Sequence, residues 1–190
     1  SVKSTVYDKA GDIVSAQTDD IEIPAGATKT ISQSVEVLNP KLWSVDSPNL
    51  YWVRTEIIQN GKVVDSTDSR FGIRYIATDP NSGFYLNGVH TKLNGVCEHS
   101  DLGSLGMETY QAAVDRRIRT LKKYGVNAIR TSHNPVSPEF IEACDRLGML
   151  VFEEAFDQWL YSKNSDDYHN YFNKAADGKT GRDTGKDTGI

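Results

Sequence analysis

The stretch YGVNAIRTSHNPVSPEFIEACDRLGMLVF, residues 124–152, decides the fold. Val126–Arg130 reads as a strand. Ser137 then offers a hydroxyl cap, and Pro138 takes the first helical position, where a missing N–H costs nothing. Phe140, Ile141, Cys144 and Leu147 recur at helical steps, and Gly148 closes the helix. Met149–Phe152 is a second strand. Strand, helix, strand is the unit of a parallel sheet.

The same rhythm extends towards the N-terminus. Leu93–Cys97 reads as a strand. Glu108–Tyr124 carries Tyr110, Val114, Ile118, Leu121 and Tyr124 at steps of three and four, an amphipathic helix ended by Gly125. Three strands alternating with two helices begin a doubly wound sheet or a (β/α)8 barrel. A full barrel needs about 250 residues, so three strands cannot close one.

Earlier still, the period becomes two. Val2–Tyr7, Ile13–Gln17, Ile21–Ile23 and Thr28–Val37 alternate, the last with Ile31, Gln33, Val35 and Val37 on one face. Leu50–Ile58 places Tyr51, Val53, Thr55 and Ile57 together and ends at Asn60-Gly61, the dipeptide a type I′ hairpin favours. Lys62–Asp65 and Arg70–Ile76 return. Short strands at this spacing point to an antiparallel sandwich of immunoglobulin type. Phe84-Tyr85-Leu86, Asn87-Gly88 and Val89–Leu93 add one more hairpin.

The expected organisation is therefore multidomain. Residues 1–78 are expected to form an all-β immunoglobulin-like sandwich, and residues 79–190 a parallel α/β segment, either doubly wound or the N-terminal part, about three βα units, of a (β/α)8 barrel. Ser1 already reads as strand, with no methionine or leader before it, so the chain is expected to begin inside a domain. Residues 166–176 could form a helix. From about residue 177 a near four-residue repeat of Thr, Gly and alternating charge cannot bury a core.

Composition narrows the partners. The 190 residues carry 21 Lys and Arg against 26 Asp and Glu, a net charge of −5. A nucleic-acid surface would show a basic stripe instead. No run approaches the roughly 20 apolar residues of a membrane helix. Neither nucleic acid nor membrane is expected as a partner. Cys97 and Cys144, flanked by apolar residues, read as two buried small hydrophobes.

Ligands in parallel α/β folds bind beyond the carboxyl ends of the strands. Those ends carry Glu98, His99, Ser100 and Asp101; then Arg130, Thr131, Ser132, His133 and Asn134; then Glu153, Glu154, Asp157 and Trp159. Carboxylates and imidazoles hydrogen-bond hydroxyls, and an indole face stacks on a sugar ring, so the set suits a hydroxyl-rich ligand. Each member also has a plainer role. Asp101 could cap a turn, Arg130 could pair with Glu154, Pro135 could merely shape its loop, and Trp159 could be packing. Of Glu153 and Glu154, alternation turns one inward and one outward. His99, Asp101, His133 and Glu154 are metal-ligand types, but no His-x-His or His-x-x-x-His spacing supports a metal, and no cofactor is expected. No Gly-x-Ser-x-Gly surrounds a serine.

Pro40-Lys41-Leu42-Trp43-Ser44, Ser47-Pro48-Asn49-Leu50-Tyr51 and Phe71-Gly72-Ile73-Arg74 resemble the end of the immunoglobulin-like domain of glycoside hydrolase family 2. Leu86-Asn87-Gly88, Asn94 to Asp101, Gly125 to Pro135, Cys144-Asp145, Gly148 to Val151 and Glu153-Glu154-Ala155-Phe156-Asp157-x-Trp159 continue the resemblance into its barrel. The Gly-Val-Cys-x-His-x-Asp and Glu-Glu-Ala-Phe-Asp-x-Trp forms look most like the β-galactosidase branch. β-Glucuronidases and β-mannosidases share the scaffold.

The resemblance implies a retaining exo-glycosidase acting on terminal β-galactosides, with two glutamates about 5–5.5 Å apart. It places the acid/base in an Asn-Glu on the fourth strand and the nucleophile later. No Asn-Glu occurs in these residues, so no catalytic residue is assigned and the chain alone is expected to be inactive. Asp101 and His133 map onto the residues that hold the non-reducing sugar, with Arg130 and Glu154 as floor and support, and His99, Asn134 and Trp159 as companions. Some members bind a divalent ion near the position of Glu154, with other ligands from segments outside this stretch. The implied partners are a β-galactoside, a preceding jelly-roll domain and the rest of the barrel. A non-catalytic carbohydrate-binding module and a metal-dependent barrel hydrolase are the rival readings. Three open strands leave an unpaired edge, so self-association is expected.

Overall fold

A computed structural model describes residues 1–155. Phe156, Asp157, Trp159, the 166–176 helix and the repeat after residue 177 lie outside the described residues. The described residues divide into two compact units: Ser1–Leu93 with Glu142–Leu150, and Asn94–Ile141 with residues 151–155.

In the first unit, strands β1 (Val2–Tyr7), β2 (Ile13–Asp19), β3 (Tyr51–Gln59) and β4 (Lys62–Phe71) form an antiparallel sheet in the order β2-β1-β3-β4. Register puts Val2, Ser4 and Val6 opposite Ile57, Thr55 and Val53, so one face collects the apolar alternates. The β3–β4 turn is made by Asn60 (φ 51) and Gly61 (φ 74), the two positive-φ residues a type I′ turn requires. The return strand is continuous from Lys62 to Phe71, where separate runs were expected. A second antiparallel sheet joins β5 (Ile76–Asp79), β6 (Gly83–Leu86) and β7 (Val89–His90).

Residues 21–23 and 28–37 depart from expectation, since neither forms a ladder. The alternation of burial survives: Ile31, Gln33, Val35 and Val37 are half-buried and their neighbours exposed. Gln33 meets β1 through its side chain. Its Nε2 donates to the Val2 carbonyl at 3.1 Å, and its Oε1 accepts from the Ser4 hydroxyl at 2.6 Å. Alternating burial is present; backbone pairing is not.

The node of this unit is Trp43, fully buried. Its backbone N–H donates to the Ile73 carbonyl at 2.8 Å, and its carbonyl accepts from Asn87 Nδ2 at 2.9 Å. The indole Nε1 donates to the Asp145 carbonyl at 2.7 Å, and the Arg74 guanidinium lies 4.7 Å from the ring centroid. A Cβ on Gly72 would stand 3.0–3.1 Å from Trp43 side-chain atoms, which explains a residue without one. Three other sequence segments, at residues 72–74, 87 and 145, converge on this one residue.

The second unit opens with β8 (Gly95–Glu98), then a 3-10 turn at Gly103–Leu105, α1 (Gln111–Lys123) and β9 (Ala128–Thr131). Helix α2 (Pro138–Leu147) and β10 (Leu150–Phe152) follow and straddle the division between units. The sheet order is β10-β9-β8, with β8 and β9 parallel. Helix α1 starts three residues later than its periodicity predicts. Only Val114 and Ile118 of its stripe are buried, while Tyr110 and Tyr124 flank the helix in solvent. Its end is a Schellman motif: Val126 N–H donates to Leu121 and Gly125 N–H to Lys122, with Gly125 at φ 82. The Ser137 hydroxyl accepts from Phe140 N–H at 3.3 Å, and Phe140, Ala143 and Cys144 are buried.

Parity along the parallel strands sorts the side chains. Cys97 and Arg130 are register partners on one face of the sheet; Val96 with Ile129 and Glu98 with Thr131 occupy the other. Ile129 and Thr131 are buried, whereas Cys97 is exposed. The expectation of two buried cysteines therefore holds for Cys144 alone, because Cys97 points away from the packed face.

Candidate functional site

Arg130, the third residue of β9, directs its guanidinium at Glu154, two residues beyond β10. Nε lies 2.5 Å from Oε1. Arg130 Nη2 is 3.2 Å from His133 Nδ1, which is itself 3.2 Å from Glu154 Oε2. A hydrogen on Nδ1 satisfies the carboxylate and leaves Nε2 free to accept. The hydrogen bond from Arg130 holds the Glu154 carboxyl below the usual carboxylate range, and the His133 bond adds to the effect. The same pairing raises Arg130 above its ordinary value. Glu154 is anchored through its backbone, its N–H donating to the buried Thr131 hydroxyl at 2.9 Å. Glu153 is exposed, so of the two glutamates only Glu154 turns towards Arg130.

The β9 loop begins with a cis peptide between Ser132 and His133. Ser132 N–H donates to the Glu98 carbonyl at 2.9 Å, and Asn134 Nδ2 donates to the Ser100 hydroxyl at 3.2 Å, so this loop is tied to the one after β8. The rings of His99 and His133 meet edge to face at 6.0 Å. Arg130 Nη1 also reaches the Cys97 sulfur at 3.7 Å. The structure thus brings Arg130, His133 and Glu154 into one cluster, with His99 against it and Asn134 bracing it.

Asp101 has a different local task. Its Oδ1 accepts from Gly103 N–H at 3.1 Å, capping the turn that follows, and its side chain is exposed. Glu98 leaves the strand-end set altogether. Parity turns it to the opposite face, where Oε2 pairs with Arg117 Nη1 of α1 at 2.8 Å. Arg117 Nη2 also donates to the Asp101 carbonyl. Sequence reading passed over Arg117, although a charged residue one step before buried Ile118 and three after buried Val114 was a signal. A cavity of about 40 Å3 behind this loop is lined by His99, Asp101, Met107, Arg117 and Phe140 among others. Ligand pockets run to roughly 300–1,000 Å3, so this one is packing space. Trp159 lies outside the described residues. Among the described residues, no three or more His, Cys, Asp and Glu side chains are grouped to hold a metal ion.

Residues 1–74 match the family model described as glycosyl hydrolases family 2, and residues 78–182 match the model for the TIM barrel domain of that family. A protein named beta-galactosidase BoGH2A from Bacteroides ovatus is 41% identical over 174 residues, covering 92% of this chain and 20% of that protein. A putative beta-glucuronidase from Formosa agariphila is 44% identical over 137 residues, 72% of this chain and 13% of that protein. A crystal structure of a glycosyl hydrolase family 2 member from Bacteroides cellulosilyticus superposes with a TM-score of 0.85 at 40% identity, covering 94% of this chain and 23% of that one. The chain spans a fifth or less of the length of the two curated relatives. The architecture is an immunoglobulin-like sandwich followed by the N-terminal part of a (β/α)8 barrel.

Proposed function

The chain belongs to family 2 of the glycosyl hydrolases, and on that premise we propose that the whole protein hydrolyses terminal β-galactosides with retention of configuration. The residues described here form one wall of the site for the sugar being released. The observation that carries this reading is the Arg130–His133–Glu154 cluster at the carboxyl ends of neighbouring barrel strands.

In this reading His133 Nε2 accepts a sugar hydroxyl, its ring held by the Nδ1 contact to Glu154. Asp101 Oδ1 is occupied by Gly103 N–H, and its second oxygen takes another hydroxyl. Asn134 and His99 fix the two loops against each other, and Trp159 supplies the stacking face. A uronate carboxylate would need an uncommitted cation. Among the described residues, the cation at this cluster, Arg130, is committed to Glu154, which supports a neutral galactoside over a glucuronide. The acid/base and nucleophile glutamates belong to parts of the protein other than these 190 residues, which alone do not turn over.

Assay of the whole protein on nitrophenyl β-galactoside, β-glucuronide and β-mannoside tests the proposal. The galactoside is expected to give the highest kcat/KM. A preference for the glucuronide would overturn the neutral-sugar argument, and no turnover of any would sink the glycosidase reading. Turnover by the purified 190-residue chain would overturn the siting of the catalytic pair.

A further inference from the structure

We infer that Arg117 is a positioning residue for the sugar-binding loop, acting from the outer helix through the backbone of Asp101. The inference rests on the glycosidase reading for what the loop binds, and on geometry alone for what Arg117 holds. One planar guanidinium spans the segment Glu98–Asp101. Nη1 pairs with the Glu98 carboxylate at 2.8 Å where β8 ends, and Nη2 donates to the Asp101 carbonyl three residues later. The side chains of Arg117 and Glu98 are 24% and 21% exposed, so the pair is largely shielded from solvent and competes weakly with water. On the other side, Asn134 holds Ser100 and His133 meets the ring of His99. The four-residue segment is therefore clamped from behind by α1 and from in front by the β9 loop.

The clamp also sets where the Asp101 carboxylate stands. With its carbonyl fixed by Arg117 and its Oδ1 by Gly103 N–H, Asp101 retains little freedom. Helix α1 is a rigid mount for this purpose, with Val114 and Ile118 buried on either side of Arg117. Lysine cannot substitute, because a single ammonium on a flexible stem does not bridge two acceptors in a fixed fork. Arg117 touches no reacting atom; its influence passes through substrate binding.

The test uses the whole protein with R117A, R117K and E98Q. Hydrogen exchange is read over residues 99–106, and steady-state kinetics on nitrophenyl β-galactoside. R117A is expected to speed exchange of this loop about tenfold, with α2 and the sandwich strands unchanged. It is expected to raise KM about tenfold or more with kcat held within about threefold, and to raise the inhibition constant of free galactose by the same factor. R117K is expected to keep the melting temperature yet show most of the KM defect, and E98Q to fall between R117K and wild type. Unchanged loop exchange, or a fall in kcat at constant KM, would overturn the inference. Should R117A fail to fold, R117K decides it by the same two readouts. If the wild-type protein turns over none of the nitrophenyl glycosides, the glycosidase reading falls while the exchange measurement still decides whether Arg117 is the clamp.

Discussion

Arg130 and Glu154, 24 residues apart in sequence, meet with Nε 2.5 Å from Oε1, and His133 Nδ1 lies 3.2 Å from both side chains. A guanidinium and an imidazole thus share one carboxylate, which orients both.

Breaking that arrangement should cost binding before chemistry. E154Q in the whole protein leaves the guanidinium without its anionic partner and the imidazole with a weaker acceptor. We expect kcat/KM on nitrophenyl β-galactoside to fall about 100-fold, mostly through KM, with R130K similar because lysine cannot copy the fork. Steady-state kinetics of both variants checks this; a wild-type KM in E154Q would contradict it.

The cluster should also be visible in acid. Glu154 is held below its ordinary value, so the folded state gains from the ionised form. That gain is complete above the unfolded glutamate value of about 4.3 and disappears as pH falls through the lower folded value. Urea unfolding of wild type and E154Q should therefore differ by a constant amount from about pH 5.5 to 8 and converge in more acid solution. A gap that widens on acidification would reverse the sign.

The two cysteines should separate by reactivity. Burial, with a smaller contribution from the neighbouring Asp145 charge, pushes the Cys144 thiol up to about 12; Cys97 is exposed. Iodoacetamide at about pH 8 should label Cys97 in the native protein and reach Cys144 only after unfolding. Peptide mass spectrometry reads both sites at once.

Around Trp43, small changes should be expensive. W43A empties a fully buried site and is expected to cost about 3–5 kcal/mol. G72A pushes a methyl against the same indole and is expected to cost about 1–3 kcal/mol. Denaturant melts at constant m-value check both; a neutral G72A would mean that the indole can shift without penalty.

Local chemistry made much of this legible. Asn60-Gly61 announced its hairpin, Ser137-Pro138 announced α2, and the strand-end pattern joined Arg130 to Glu154. What escaped depended on partners distant in sequence. Alternation over Thr28–Val37 correctly gave a face, yet alternation carries no information about whether a neighbouring backbone is free to pair. The helical stripe of α1 is one turn narrower at each end than the spacing predicts, because Tyr110 and Tyr124 have the right spacing but are exposed among the described residues. Glu98 was grouped with the site although its parity with Cys97 already set it on the other face. Its reason for being there, Arg117, is 19 residues away on a different kind of element.

The bond from the Trp43 indole to the Asp145 carbonyl joins groups 102 residues apart, and the unit that contains both is interrupted by residues 94–141. During synthesis at about 5–20 residues per second, the indole waits roughly 5–20 s for its acceptor to be made. Through that interval the most buried aromatic side chain of the sandwich is without one partner. The sandwich is thus translated ahead of the barrel segment yet cannot finish folding ahead of it: its completion is timed by the segment encoded after it.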